Sequence, residues 1–123
     1  MPRRALILFA HGARAAGWAA PFERLRALVA ARRADCDVSL AFLELMTPSL
    51  PDQIAALAAR GIGDITVVPV FLGQGGHLQR DLPALVQGLR TQYPGLTLAV
   101  AGPVGEDAGV LNAMADYCLS TLT

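Results

Sequence analysis

Four runs of nearly unbroken apolar residues, at positions 5–10, 38–43, 65–71 and 96–101, divide the 123-residue chain at regular intervals. Apolar runs of this length without polar alternation are the pattern of strands covered on both faces, as in a parallel sheet. The segments between them repeat apolar residues at helical spacing. Phe22, Leu25, Leu28 and Val29 mark the first, with Pro21 suited to its start. Ile54, Leu57 and Ala58 mark the second, with Ser49 placed to cap it, Asp52 three residues later and Gly61 as a stop. Leu82, Leu85, Val86 and Leu89 mark the third, opened by Asp81 and Pro83, and Leu111, Met114, Ala115 and Cys118 mark the fourth. Strand and helix alternate four times, so right-handed crossovers predict an α/β fold: an open four-stranded parallel sheet with helices on both faces, a flavodoxin-like single unit spanning 1–123.

Composition narrows the function classes. Hydrophobic residues make up 54% of the chain and charged residues 16%, enough apolar material for a core and no case for disorder. Ten arginines, no lysine and ten acidic residues leave a net charge of zero, which argues against a nucleic-acid surface. No stretch approaches the length of a membrane span, and the short apolar run after Arg3 and Arg4 lacks a cleavage site, so it reads as a first strand rather than a leader. Cys36 and Cys118 belong to no Cys-x-x-Cys pair and read as reduced thiols, which points to the cytoplasm.

In open α/β sheets ligands bind beyond the carboxyl ends of the strands. His11 and His77, the only histidines, both fall there: His11 after the first strand, His77 in the loop after the third, with Glu44 after the second. One histidine after a strand is as readily a capping residue as a ligand; two at one edge favour a metal site. Glu44 has two readings, a functional carboxylate or a partner for Arg14. The loop Leu72-Gly73-Gln74-Gly75-Gly76-His77 lets backbone approach a flat ligand, or forms a turn. It matches neither a dinucleotide fingerprint nor a phosphate loop. The segment Gly102-Pro103-Val104-Gly105 offers amides at the start of the fourth helix, a weakly specific signal. No Gly-x-Ser-x-Gly elbow occurs and neither cysteine follows a strand, so nucleophilic hydrolysis finds no support. Trp18 reads first as a core residue and second as one that stacks on a ligand.

His11-Gly12-Ala13-Arg14, Leu43-Glu44-Leu45-Met46-Thr47-Pro48-Ser49-Leu50, and Val68-Pro69-Val70-Phe71 running through the glycine loop to His77, then Arg80-Asp81-Leu82-Pro83, together resemble the short sirohydrochlorin cobaltochelatases, a family of ATP-independent tetrapyrrole chelatases. The resemblance covers nearly the whole chain, with its motifs in order. It implies a chelatase-like fold and insertion of a divalent metal, Co²⁺ first, into sirohydrochlorin for cobalamin or related tetrapyrrole synthesis; relatives insert iron or nickel. It also implies that His11 accepts a proton and binds metal, that His77 is the second metal ligand, that residues 72–77 line the macrocycle, and that two copies form a homodimer. The chain departs from the family at Ala13, usually Ser; at Thr47, often a carboxylate; and at Gln74, sometimes His. These departures bear on substrate contacts near Thr47 and on metal preference.

Insertion releases two pyrrole protons while the metal trades its ligands for four ring nitrogens. Neutral imidazole serves both steps, since it binds Co²⁺ or Fe²⁺ and titrates in general at about pH 6.5. Glu44 is assigned to orienting a histidine, relaying a proton or supplying an oxygen ligand. Arg14, Arg80 and the loop amides are candidate anchors for the macrocycle's carboxylates. The expected ligands are thus a tetrapyrrole and a divalent metal as substrates, with no resident cofactor. A metal carrier or sensor using the same histidines is the alternative from a different class.

Overall fold

The computed structural model describes residues 4–73 and 75–122, and of His77 only the backbone. Its elements run β1 (Arg4–Ala10), α1 (Ala20–Arg32), β2 (Cys36–Phe42), α2 (Leu50–Ala59), β3 (Asp64–Pro69), α3 (Gly76–Gln92), β4 (Thr97–Val100), a 3-10 turn (Val104–Glu106) and α4 (Ala108–Ser120). All four strands are parallel, in the order β2-β1-β3-β4. The expected fold and strand positions are therefore correct, with ends displaced by one or two residues.

Alternate strand residues feed two cores. Ala5, Ile7, Phe9, Ile65, Val67 and Leu98 point to one face, where α2 brings Leu50, Ile54 and Leu57 and α3 brings Leu82, Val86 and Leu89. Leu8, Ala10, Leu40 and Phe42 point to the other, where α1 contributes Phe22 and Leu25. Trp18 joins this second core, its ring 4.7 Å from that of Phe22, so its structural reading holds.

Local chemistry sets the helix ends. Ser49 caps α2 by accepting a hydrogen bond from the Asp52 amide at 3.2 Å, and Gly61 follows the helix with φ +81°, the left-handed geometry of a stop. Asp107 caps α4 through the Val110 amide at 3.1 Å. Two expectations need correction. Helix α3 opens at Gly76, capped by Gly75 in extended geometry, so Asp81 and Pro83 lie inside it rather than at its start, and His77 is a helical residue rather than a loop residue. Helix α4 forms where its spacing predicts, but none of its residues is buried.

Strand order puts β1 at the centre. Its two neighbours are reached by crossovers on opposite faces, which makes the gap between β1 and β3 the switch point where such sheets bind ligands. Pairing continues beyond the strand ends: the Leu43 amide donates to Ala10 O at 2.9 Å, that of Glu44 to His11 O at 3.0 Å, and that of Val70 to Phe9 O at 2.8 Å. The approach is so close at Gly12, with φ +91°, that a Cβ there would collide with the Glu44 carbonyl.

Two substitutions test this account by thermal and denaturant unfolding. Ile54→Ala, at a site with no exposed surface, should cost about 2–5 kcal/mol. Gly12→Ala should cost about 2 kcal/mol or more, through backbone strain and the collision with Glu44, although no core side chain is lost. A neutral Gly12→Ala would mean that the β1 and β2 ends are not held together.

Candidate functional site

The carboxyl edge of the sheet gathers residues that are distant in sequence. His11 follows β1 and is exposed, with its ring edge-on to Phe71 at 5.1 Å between centroids; Phe71 in turn meets Phe9 at 5.8 Å. This aromatic row carries the buried core up to the imidazole. A hollow of about 240 Å³ opens beside it, lined by His11, Leu43, Gly75, Leu78 and Asp81. The end of β1, the segment after β2 and the start of α3 therefore meet at one place, as the switch-point argument requires.

A second, more open hollow of about 440 Å³ lies next to it. Its walls include Ala13, Arg14, Leu45, Met46 and Thr47, so the loops after β1 and β2 share this cavity. Arg14, Glu44 and Thr47 are exposed. Among the described residues no ion pair joins Arg14 to Glu44, so the structural pairing considered for them is absent there. What holds Glu44 in position is its backbone amide on His11 O.

In the glycine loop, Leu72, Gly73 and Gly75 are exposed, and Gly76 is the first residue of α3. Gln74 and the side chain of His77 lie outside the described atoms; the backbone puts His77 second in α3. Among the described residues no three His, Cys, Asp or Glu side chains cluster as a metal cage. The segment from Gly102 to Gly105 does not offer all its amides to a ligand. Gly105 N–H donates inward to Phe71 O at 2.9 Å, and a Cβ on Gly105 would strike the Leu72 backbone.

Three features of this edge escape sequence reasoning. Leu43 and Leu45 are exposed, and Leu45 takes φ +65°, a conformation that nothing in its side chain announces. Asp81 lines the hollow with His11, although the sequence suggests only a helix opener. Had the start of α3 been set at Gly76, the spacing of Asp81 four residues after His77 would have marked the two as neighbours on one helix face.

Comparison with known proteins agrees with this architecture. Residues 5–120 match the CbiX family. The chain is 40% identical over 55 residues to a sirohydrochlorin cobaltochelatase of Methanothermobacter thermautotrophicus, a match covering 45% of this chain and 38% of that protein. It is 31% identical over 70 residues to one from Sulfurisphaera tokodaii, covering 57% and 55%. The matches thus span roughly 38–55% of the length of these curated relatives. A solved CbiX protein from Marinobacter aquaeolei VT8 superposes with a TM-score of 0.84 at 32% identity, covering 97% of both chains. The sirohydrochlorin chelatase SirB from Bacillus subtilis subspecies spizizenii, in complex with cobalt, shares the fold with a TM-score of 0.79 at 23% identity, covering 98% of this chain and 51% of that one. Fold, motif order and family match converge, and the chain belongs to the CbiX family.

Proposed function

We propose that this protein is an ATP-independent sirohydrochlorin chelatase that inserts a divalent metal, Co²⁺ in the first instance, into the macrocycle during cobalamin or related tetrapyrrole synthesis. The observation that carries the reading is the meeting of His11 with the start of α3, the helix that contains His77, around one hollow at the switch point of the sheet. Relatives named sirohydrochlorin cobaltochelatase, and SirB structures with cobalt and with Fe³⁺, support it.

In this reading the metal is cargo, held by His11 and His77 and delivered to the ring. His11 accepts one of the two pyrrole protons as the metal enters. It suits that task, because its imidazole is exposed while Phe71 braces its ring from the core side. Glu44, tethered by its amide to the backbone of His11, orients the site or relays the proton. Leu43, Leu45 and Leu72, exposed on the same edge, give the flat ring an apolar surface, while Arg14 and Thr47 in the adjoining hollow and the loop from Gly73 to Gly76, with Gln74, receive its carboxylates. The reading needs no resident cofactor and sets the protein in the cytoplasm, consistent with two free cysteines. Among the described residues no helix is long and apolar enough to cross a membrane. The functional unit in this reading is a homodimer, because one unit builds only one wall of a cleft for a flat ring.

The deciding experiment follows the absorption spectrum of sirohydrochlorin mixed with protein and Co²⁺, Fe²⁺ or Ni²⁺. Accelerated spectral conversion is the expected result, and the metal with the highest rate identifies the preferred cargo. Metal binding without conversion would make the protein a carrier or sensor. His11→Ala and His77→Ala should each slow insertion by roughly 10²-fold or more, with the circular-dichroism spectrum and unfolding midpoint nearly unchanged. The double variant should be little worse than the poorer single one, as for two ligands of one metal. Wild-type rates in either single variant would remove that histidine from the site. Arg14→Ala should raise KM several-fold with a smaller effect on kcat, the signature of lost substrate anchoring; an unchanged KM would show that Arg14 does not touch the macrocycle.

A further inference from the structure

Asp81 stands at the functional edge with no part in the chemistry assigned to His11, His77 and Glu44. It lies inside α3, exposed, and lines the hollow of about 240 Å³ together with His11, Leu43, Gly75 and Leu78. Among the described residues it is the only carboxylate in that lining, and no ion pair occupies it. The solvated face of a helix is the ordinary place for an aspartate; a hollow shared with an imidazole is not.

Helix geometry fixes where the carboxylate stands. Leu78 and Leu82 are 6% and 5% exposed, so packing on the core holds α3 against rotation. At about 3.6 residues per turn, position 81 lies roughly 40° around the axis and about 6 Å along it from position 77, on one face. A packed helix therefore delivers Asp81 to the hollow, one turn beyond His77 and in the same lining as His11.

Charge decides what the carboxylate is for. The hollow opens at the start of α3, whose first turn contains no acidic residue and whose cap, Gly75, has no side chain. The positive end of the helix dipole, equivalent to roughly half a unit charge, thus meets the hollow without a capping carboxylate. That field favours the macrocycle's carboxylates and opposes a dication. A full negative charge on Asp81 outweighs it and reverses the balance for a metal ion, while the same charge repels the ring's carboxylates and so makes a poor substrate anchor. We propose that Asp81 is the loading ligand for the metal: its carboxylate draws the divalent ion into the hollow and holds it beside His11 until the ring nitrogens take it. This rests on the chelatase reading and adds an oxygen donor to imidazole nitrogen, a mixed set that first-row divalent ions accept.

Calorimetric titration with Co²⁺ alone tests this apart from turnover. Asp81→Asn should weaken Co²⁺ binding by at least about 10-fold and raise the KM for Co²⁺ to match, while the KM for sirohydrochlorin stays the same or falls and the unfolding midpoint does not move. Asp81→Glu, which keeps the charge, should recover most of the affinity. An Asp81→Asn protein that binds Co²⁺ as the wild type does would overturn the proposal, as would a rise confined to the KM for sirohydrochlorin. Repeating the change in His77→Ala separates a direct donor from a carboxylate that only orients His77. A direct donor still costs Co²⁺ affinity there, whereas an effect that vanishes without His77 would overturn direct ligation. Failure of the chelatase reading looks different: Co²⁺ binding that is lost with Asp81, in a wild type that never converts sirohydrochlorin, would leave Asp81 a metal ligand and make the protein a carrier.

Discussion

Everything at the functional edge depends on the pairing of β1 with neighbours on both sides. A central strand whose ladder runs past its own end cannot shift without breaking bonds to β2 and β3 at once, and it is at this end that His11 emerges. The amide of Glu44 and the carbonyl of His11 close one side, and the Val70 amide on Phe9 O closes the other. Gly12 permits that closeness because it has no side chain to hold the strands apart. The imidazole is therefore carried on strand and ladder rather than on a free loop, the kind of support that keeps a reactive group in register.

Charge is divided between the two ends of the sheet. Toward the amino end, Arg4 pairs with Asp64 at 3.2 Å and Arg60 with Asp37 at 2.9 Å, and nearby Arg33 grips Asp35 through two hydrogen bonds of 2.8 and 2.9 Å. That grip holds the Asp35 carboxyl down at about 2. Arg90 donates to Leu98 O at 3.0 and 2.7 Å and thereby ties the end of α3 to β4. At the carboxyl edge Arg14 and Glu44 have no ion-pair partner among the described residues, although both are exposed. Groups committed to one another stabilise; groups left uncommitted at a concave edge are available to a ligand.

The strands were legible because burial on both faces of a parallel sheet writes itself as unbroken apolar runs. The α2 cap was legible because Ser49 and Asp52 announce it chemically. The start of α3 was not: Gly75 caps without a side chain, and Pro83, eight residues into the helix, imitates the usual first-turn proline. That displaced start hid Asp81 and read His77 as a loop residue. That the residues after β1 and β2 and the start of α3 share one hollow followed from strand ends alone, whereas the left-handed turn at Leu45 has no sequence signature. For α4, spacing revealed an apolar face but not what the face meets, since periodicity reports on one helix at a time.

The position of the single tryptophan has a practical consequence. Trp18 stacks on Phe22 at the rim of the second core, and its sequence neighbours Gly17 and Ala19 line the same hollow as Arg14 and Thr47. Indole emission responds to the polarity of its surroundings and is quenched by energy transfer to a nearby coloured macrocycle. The protein thus carries one intrinsic fluorophore beside its candidate cleft, and its light reports on occupancy of that cleft without any added label.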